Sequence, residues 1–416
     1  GENVYGLMSK TEGRVQQVSL YMGPYREICP EMAAGNIVAL LGLENARSGE
    51  TLVRPIDKET MHPFEKMKYI SDPVVTVAIE PKFSRDLPKL IDALHKMAIE
   101  DPTLTVKINQ ETGEYLIAGM GSLHLEIALW DLKQRTGGIE ITTTPPIVVY
   151  RESLTGSGGP YEGKSPNKHN RLYVIVEPLN EATINLIQQG LVHDDQDTKE
   201  RVKLLREQAG WDNDEAKNVW AIDTFVNVFV DTTKGLQYIR EIKDTLLQAF
   251  RLDIAEGPLA KEPIRGLKVK LTDANVHEDP AHRGPGQIMP AIRDSIFQGF
   301  LSCNPIMLEP IMKLDMKVPQ DFLGGVTRIV AGKRGKILSM DQVGQLMHLV
   351  SEVPVSETFD LSDELRSATA GKAFWGTEFA RWAPVPSSLL LETVKKIRER
   401  KGLSPNPPTP QEFMSM

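Results

Sequence analysis

Three features of the amino-acid sequence predict an α+β protein of several domains. The opening is rich in strand-like text, and a strand–helix–strand–strand–helix–strand order occurs twice. The two copies bracket a middle region of different character. A chain of 416 residues also exceeds what one hydrophobic core holds, which points to two to four domains.

Residues 1–72 read as a partial β-barrel and a linker. "RVQQVSLYMG" and "NIVALLGL" are strand-like runs broken by Gly and Pro. The Pro- and charge-bearing stretch "RPIDKETMHPFEKMKYISDP" sets a boundary near residue 72.

In residues 73–149, "VVTVAIEP" is a strand and "SRDLPKLIDALHKMAIED" a helix. Ser84 is placed to cap that helix, and Leu87, Leu90, Ile91, Leu94, Met97 and Ala98 share one face. "TLTVKIN", the turn "QETGE" and "YLIAGM" form a hairpin. "SLHLEIALWDLKQRTGG" is a second helix and "IEITTT" the last strand. This is the split βαβ order of ferredoxin-like domains.

Residues 307–416 repeat the order. A strand ending at Pro319 leads into a helix over 319–331, a hairpin, a second helix ("SETFDLSDELRSATAG") and the strand "AFWGTEFARWAPV". A basic amphipathic helix over 388–401 and a Pro-rich tail, expected to be mobile, complete the unit. Between the two copies, residues 150–306 carry the strands "RLYVIVEPL", "NVFVDTT" and "GLKVKLTDANV". They also carry an amphipathic helix over 235–250 and a second helix beginning near Pro290.

Composition narrows the function. No apolar run approaches the roughly 18–20 residues that span a bilayer, and no signal-peptide pattern opens the chain. The two cysteines, Cys29 and Cys303, offer neither a disulfide framework nor a thiolate zinc site, so a reducing cytoplasm is expected. No G-x-x-x-x-G-K-[ST] occurs. "VAGKRG" at 330–335 lacks the upstream Gly and the hydroxyl that would hold Mg²⁺. The net charge of −8 leaves nucleic acid open, because the positive charge is local: residues 191–224 sum to −4, while residues 161–172 and 261–293 each sum to +2.

The two positive stretches contain polar turns. "NVHEDPAHRGPGQ" holds His277 and His282, followed by Arg283-Gly284-Pro285-Gly286, and reads as a tight exposed turn. "EGKSPNKHNRL" holds Lys164, Lys168, His169 and Arg171, with Asn167 and Asn170 suited to tight loop geometry. His277 and His282 alone suggest three readings. Metal ligation lacks a third and fourth ligand, acid–base catalysis lacks a named nucleophile, and a solvated surface turn is the plain alternative. If the two turns meet, they form a compact cationic tip able to contact phosphate, ribose and bases. The aromatic signature of an RNA recognition motif is missing from both split βαβ units.

"SPNKHNRL", "AHRGPGQIMPAIRDSIF", "VVTVAIEP", "YLIAGMGSLHLEIALWDL" and "GKAFWGTEFARWAPVP" together resemble the elongation factor G/2 family of ribosomal translocases, in its archaeal form. The resemblance runs over essentially all 416 residues. It implies that residues 1–72 end domain II, 73–149 are domain III, 150–306 domain IV and 307–416 domain V. Domain IV would resemble the second-domain fold of ribosomal protein S5. The GTPase domain, with its GTP and Mg²⁺, would lie upstream, so neither a cofactor nor a catalytic residue is expected in the chain, and the chain alone is not an enzyme. The resemblance further implies that His282 is the diphthamide position. Lys164, Lys168, His169, Asn170, Arg171, His277, His282 and Arg283 would form an RNA-facing tip of domain IV. Its implied partners are the ribosome, with rRNA and the tRNA–mRNA duplex of the decoding centre, the diphthamide-synthesis enzymes, and ADP-ribosylating toxins. The protein is expected to be monomeric and away from membranes. The alternative is a metal- or histidine-dependent enzyme built on His277 and His282.

Overall fold

The structure, a computed structural model, describes residues 1–43, 46, 48–64, 73–108, 115–144 and 146–414. The chain divides into two units, Gly1–Ile147 and Val148–Met416. The expected boundary near residue 72 and the turn "QETGE" lie outside the described residues.

The first unit opens with two separate three-stranded sheets rather than one curved wall. Thr11–Arg14, Asn3–Gly6 and Leu52–Val53 form one; Tyr25–Cys29, Gln17–Met22 and Ala39–Leu41 form the other. The described residues close no barrel. After them the order strand Val75–Pro81, helix Leu87–Glu100, strands Thr105–Ile108 and Tyr115–Gly119, helix Ser122–Arg135, strand Ile141–Thr143 matches the expected one. Its strands run antiparallel, with the last strand beside the first and the first beside the third. The first helix buries Leu90, Ala93, Leu94 and Met97, which recur at helical spacing, while Ile91 is turned toward solvent. Its N-cap is Asp86, not Ser84, because a short 3₁₀ turn over Ser84–Asp86 precedes the helix.

In the second unit a five-stranded sheet runs Gly158–Lys164, Arg171–Pro178, Leu267–Asn275, Val228–Asp231, Val219–Ile222. Side chains of a strand alternate between faces. Phe229 therefore enters one core with helices Lys243–Ala255 and Pro285–Ser302, whereas Val228 and Val230 enter another. Helices Glu181–Gln188, Thr198–Ala209 and Asn213–Lys217 cover that second face; the last two fall in residues 191–224, which read only as an acidic stretch. Helix Lys243–Ala255 starts eight residues later than expected. Gly235 at φ 67° and Tyr238 at φ 63° hold the preceding backbone in a left-handed conformation that no helix continues. The last helix starts at Pro285, not near Pro290, since proline suits a first helical position whose N–H has no partner anyway.

The strand Pro305–Pro319 follows that helix after two residues and nucleates the C-terminal sheet. It pairs with Leu346–Pro354 and Arg151–Leu154 and, on its other edge, with Phe374–Pro384; Lys336–Val343 lies outside Leu346–Pro354. Glu152, fully buried, receives the backbone N–H groups of Leu259, Ala260 and Glu262 at 2.7, 2.6 and 3.1 Å. The Pro-rich tail is not the loose end expected of it. Thr409 and Glu412 form a capping box, and the Phe413 ring meets Phe297 edge to face at 5.4 Å.

Three buried carboxyls are held above their ordinary values by desolvation: Asp223 at about 6, Glu152 at about 7 and Asp253 at about 8. A raised acid binds its proton more tightly folded than unfolded, so stability falls as pH rises through the gap between the two values. Carboxyls held low by partners, such as Glu100 beside Arg135, titrate below this window. The urea midpoint is therefore expected to drop between pH 5.5 and pH 8.5, and Asp253→Asn to flatten that slope. A midpoint that rises over the same range would contradict the assignment.

Candidate nucleic-acid interface

Sheet register brings the two polar turns together. Arg171 pairs with Asn275 across antiparallel strands, so residues 165–170 and residues 276–284 leave the same end of the sheet side by side. Helix Pro285–Ser302 then lies flat on strand Gly158–Lys164. A Cβ at Gly163 would stand 1.8 Å from the Ala291 carbonyl oxygen, so only glycine permits this approach. The helix thereby begins at the tip.

The loops are locked by amide side chains. Asn167 Nδ2 and Asn170 Nδ2 both donate to the His282 carbonyl, at 2.9 and 2.8 Å. The His277 N–H donates to Asn170 Oδ1 at 3.0 Å, and the Asn167 N–H to Gln287 Oε1 at 2.9 Å. Within the first loop, Ser165 Oγ donates to Asn167 Oδ1 at 2.5 Å and accepts from the Asn170 N–H at 2.9 Å. This turn holds Lys168 at φ 61°, a strained value for a side-chain-bearing residue.

Three imidazoles crown the lock. His169 lies 5.1 Å from His277 and 4.9 Å from His282, and His277 lies 4.7 Å from His282, between ring centroids. His277 Nδ1 accepts the Asp279 N–H at 3.1 Å, which leaves the proton of a neutral ring on Nε2. The His282 side chain is 45% exposed and stands 4.0 Å from Asp279. Neither Gly284 nor Gly286 has any atom within 4 Å of where a Cβ would sit, so space beside His282 is open.

The other expected tip residues divide. Lys168 and His169 are exposed, and Lys164 and Arg171 approach Glu162 at 3.8 and 3.3 Å, which offsets part of their charge. Asn170 and Arg283, expected to face RNA, are interior. Asn170 is wholly buried because its amide bridges the loops. The Arg283 guanidinium lies over the Tyr238 ring at 4.4 Å, pairs with Glu241 and donates to the His277 carbonyl at 3.1 Å. Ser165, Gln287, Tyr238 and Glu241 were not anticipated; only a serine beginning a polar loop carried any signal. No group of three or more His, Cys, Asp or Glu among the described residues is arranged to hold a metal ion.

The tip is thus two polar loops locked by amide side chains and crowned by three imidazoles at one end of an α+β sheet, and comparison with known proteins gives its family. Models of elongation factor G match in succession: domain III over residues 70–145, domain IV over 190–304 and the C-terminus over 306–393. Elongation factor 2 of Staphylothermus marinus is 59% identical over 414 residues, covering 100% of this chain and 56% of that protein. The elongation factors 2 of Saccharolobus solfataricus and Sulfurisphaera tokodaii are each 57% identical, with the same two coverages. The chain belongs to the elongation factor G/2 family, and it spans about half the length of these archaeal relatives. They give the enzyme alternative no support.

The lock uses the main chain of residue 282, not its ring. His282→Ala is therefore expected to leave the unfolding free energy from urea titration within about 0.5 kcal/mol of wild type. Asn170→Ala, which strands the His277 N–H, is expected to cost about 2 kcal/mol and to speed amide exchange in both loops. Equal losses in the two variants would refute the lock.

Proposed function

We propose that the chain serves a GTP-dependent ribosomal translocase, as the part that carries the tip into the decoding centre. The GTP and Mg²⁺ site would belong to the parent protein outside this chain. In this reading the tip meets the codon–anticodon duplex as tRNA and mRNA advance, helps release it and blocks slippage backward. The observation that carries it is the three-imidazole crown, held rigidly at one sheet end in a chain of this family. A rigid tip loses little conformational entropy on docking. Imidazoles and a single exposed Lys168 suit base edges and ribose more than a dense run of phosphates.

His282 is the residue we assign to diphthamide: its ring is half exposed, and the glycines beside it leave room for a large substituent and for a modifying enzyme. Diphthamide-synthesis enzymes and, by the same logic, ADP-ribosylating toxins would act on it. The reading includes ferredoxin-like folds for residues 73–149 and 307–416, an S5-like fold for the middle domain, a monomer, and a cytoplasmic location. No helix among the described residues is long and apolar enough to cross a membrane.

Binding of the chain to a short RNA duplex, titrated against salt, tests the tip. The expected slope of log K against log salt is about −2, reduced by about 1 in Lys168→Ala. A slope near −6, or one unmoved by Lys168→Ala, would place the RNA elsewhere. In protein isolated from an archaeal cell, the peptide bearing His282 is expected to carry added mass; an unmodified peptide would remove the diphthamide assignment.

A further inference from the structure

We propose that the groove between helices Lys243–Ala255 and Pro285–Ser302, roofed by the tail, binds an organic ammonium ion with the Asp253 carboxylate as its counter-ion. The groove encloses about 690 Å³, within the range of small-molecule sites.

Asp253 sits where the helix pattern calls for an apolar residue. Leu246, Ala249, Phe250 and Ile254 share its buried face. Asp253 itself is 8% exposed, and its Oδ2 has no hydrogen-bond partner among the described residues. An acid so placed is costly to the fold unless a cation joins it.

The protein's own cations lining the groove hydrogen-bond or pair with other groups, although the Arg293 charge also reaches Asp253. Arg293 donates to Asp294 through Nε and Nη2, at 3.3 and 3.2 Å. Arg398 donates to the carbonyls of Leu259 and Ser404 at 2.9 and 2.5 Å, and Lys261 lies 3.8 Å from Glu256. On the tail, Glu412 accepts from the Thr409 N–H at 2.7 Å. None of these cations hydrogen-bonds Asp253 Oδ2, which favours a cationic ligand over an anionic one. Phe297 and Phe413 line the same groove and offer aromatic faces and edges, and faces attract ammonium groups. Leu252, Pro407 and Pro408 supply apolar wall for an alkyl body. A linear alkylammonium ion has this chemistry.

Desolvation holds Asp253 at about 8, so the empty site is mostly protonated at neutral pH, and binding must ionise it. Affinity is expected to rise with pH until the amine itself loses its proton, near pH 10.

Calorimetric titration of the 416-residue chain with n-butylammonium, and with butan-1-ol as the neutral counterpart, is the test. Butylammonium is expected to bind roughly tenfold more tightly at pH 8.5 than at pH 6.5, with butan-1-ol at least tenfold weaker at pH 8.5. Asp253→Asn should lose at least tenfold in affinity while melting no lower than wild type, because it removes an unpaired buried acid. Unchanged binding in Asp253→Asn would reveal general attraction to an acidic surface and overturn the site. Should that variant fail to fold, an affinity in the wild-type chain that is flat across this pH range would overturn it equally, as would the absence of binding.

Discussion

The His282 carbonyl oxygen is the atom on which the tip depends. Two amide groups from a different loop converge on it, at 2.9 and 2.8 Å, across 115 and 112 residues of sequence. Parting the loops would exchange both bonds for bonds to water and lose the buried setting of Asn170, so the lock resists opening. Because the bond is made by backbone, the ring of the same residue is left available. A lock through the imidazole would have fixed the loops and removed the chemistry together.

Charge plays a smaller part at the tip than its composition suggests. The first loop and its flanks sum to +2, yet Lys164 and Arg171 lean on Glu162, and Arg283 is drawn inward by Glu241 and Tyr238. A similar balance occurs farther along the same sheet. There Lys268 and Lys270 share Glu177 and Glu215, with Lys268 3.9 Å from the Trp211 ring centroid. What remains for a partner is shape, three imidazoles and Lys168. An interface of that kind discriminates by geometry and is only weakly screened by salt.

Much of this was legible in the residues. The order of strands and helices in both split βαβ units is legible, and Pro, Gly and Asn mark the two turns. That the turns meet was conditional until the Arg171–Asn275 register appeared. Residue type could not give direction: Asn170 and Arg283 are polar residues of polar loops, and burial reversed the expectation for both. Helices Thr198–Ala209 and Asn213–Lys217 were missed because charged residues dominate their text, with a narrow apolar stripe of Val202, Leu205, Ala209 and Ala216 doing the anchoring. The start of helix Lys243–Ala255 was set by the left-handed Tyr238, which no propensity scale flags. The tail seemed loose on composition, since prolines hide the one aromatic that docks it.

These elements make the tip and the C-terminal sheet one mechanical object. Helix Pro285–Ser302, roughly 27 Å long at 1.5 Å per residue, starts beside the His282 lock and ends two residues before the strand that organises the C-terminal sheet. Its middle is pressed onto strand Gly158–Lys164 through Gly163, and its far end is held under Phe413. A second tie runs through Arg151–Leu154, which pairs with the same long strand while Glu152 grips the 259–262 loop. Two connections at separate points resist rotation where one would act as a hinge. This stiffness, which the proposed entry of the tip into an RNA site would use, is what the buried glycine, the pinned carboxylate and the docked tail have in common.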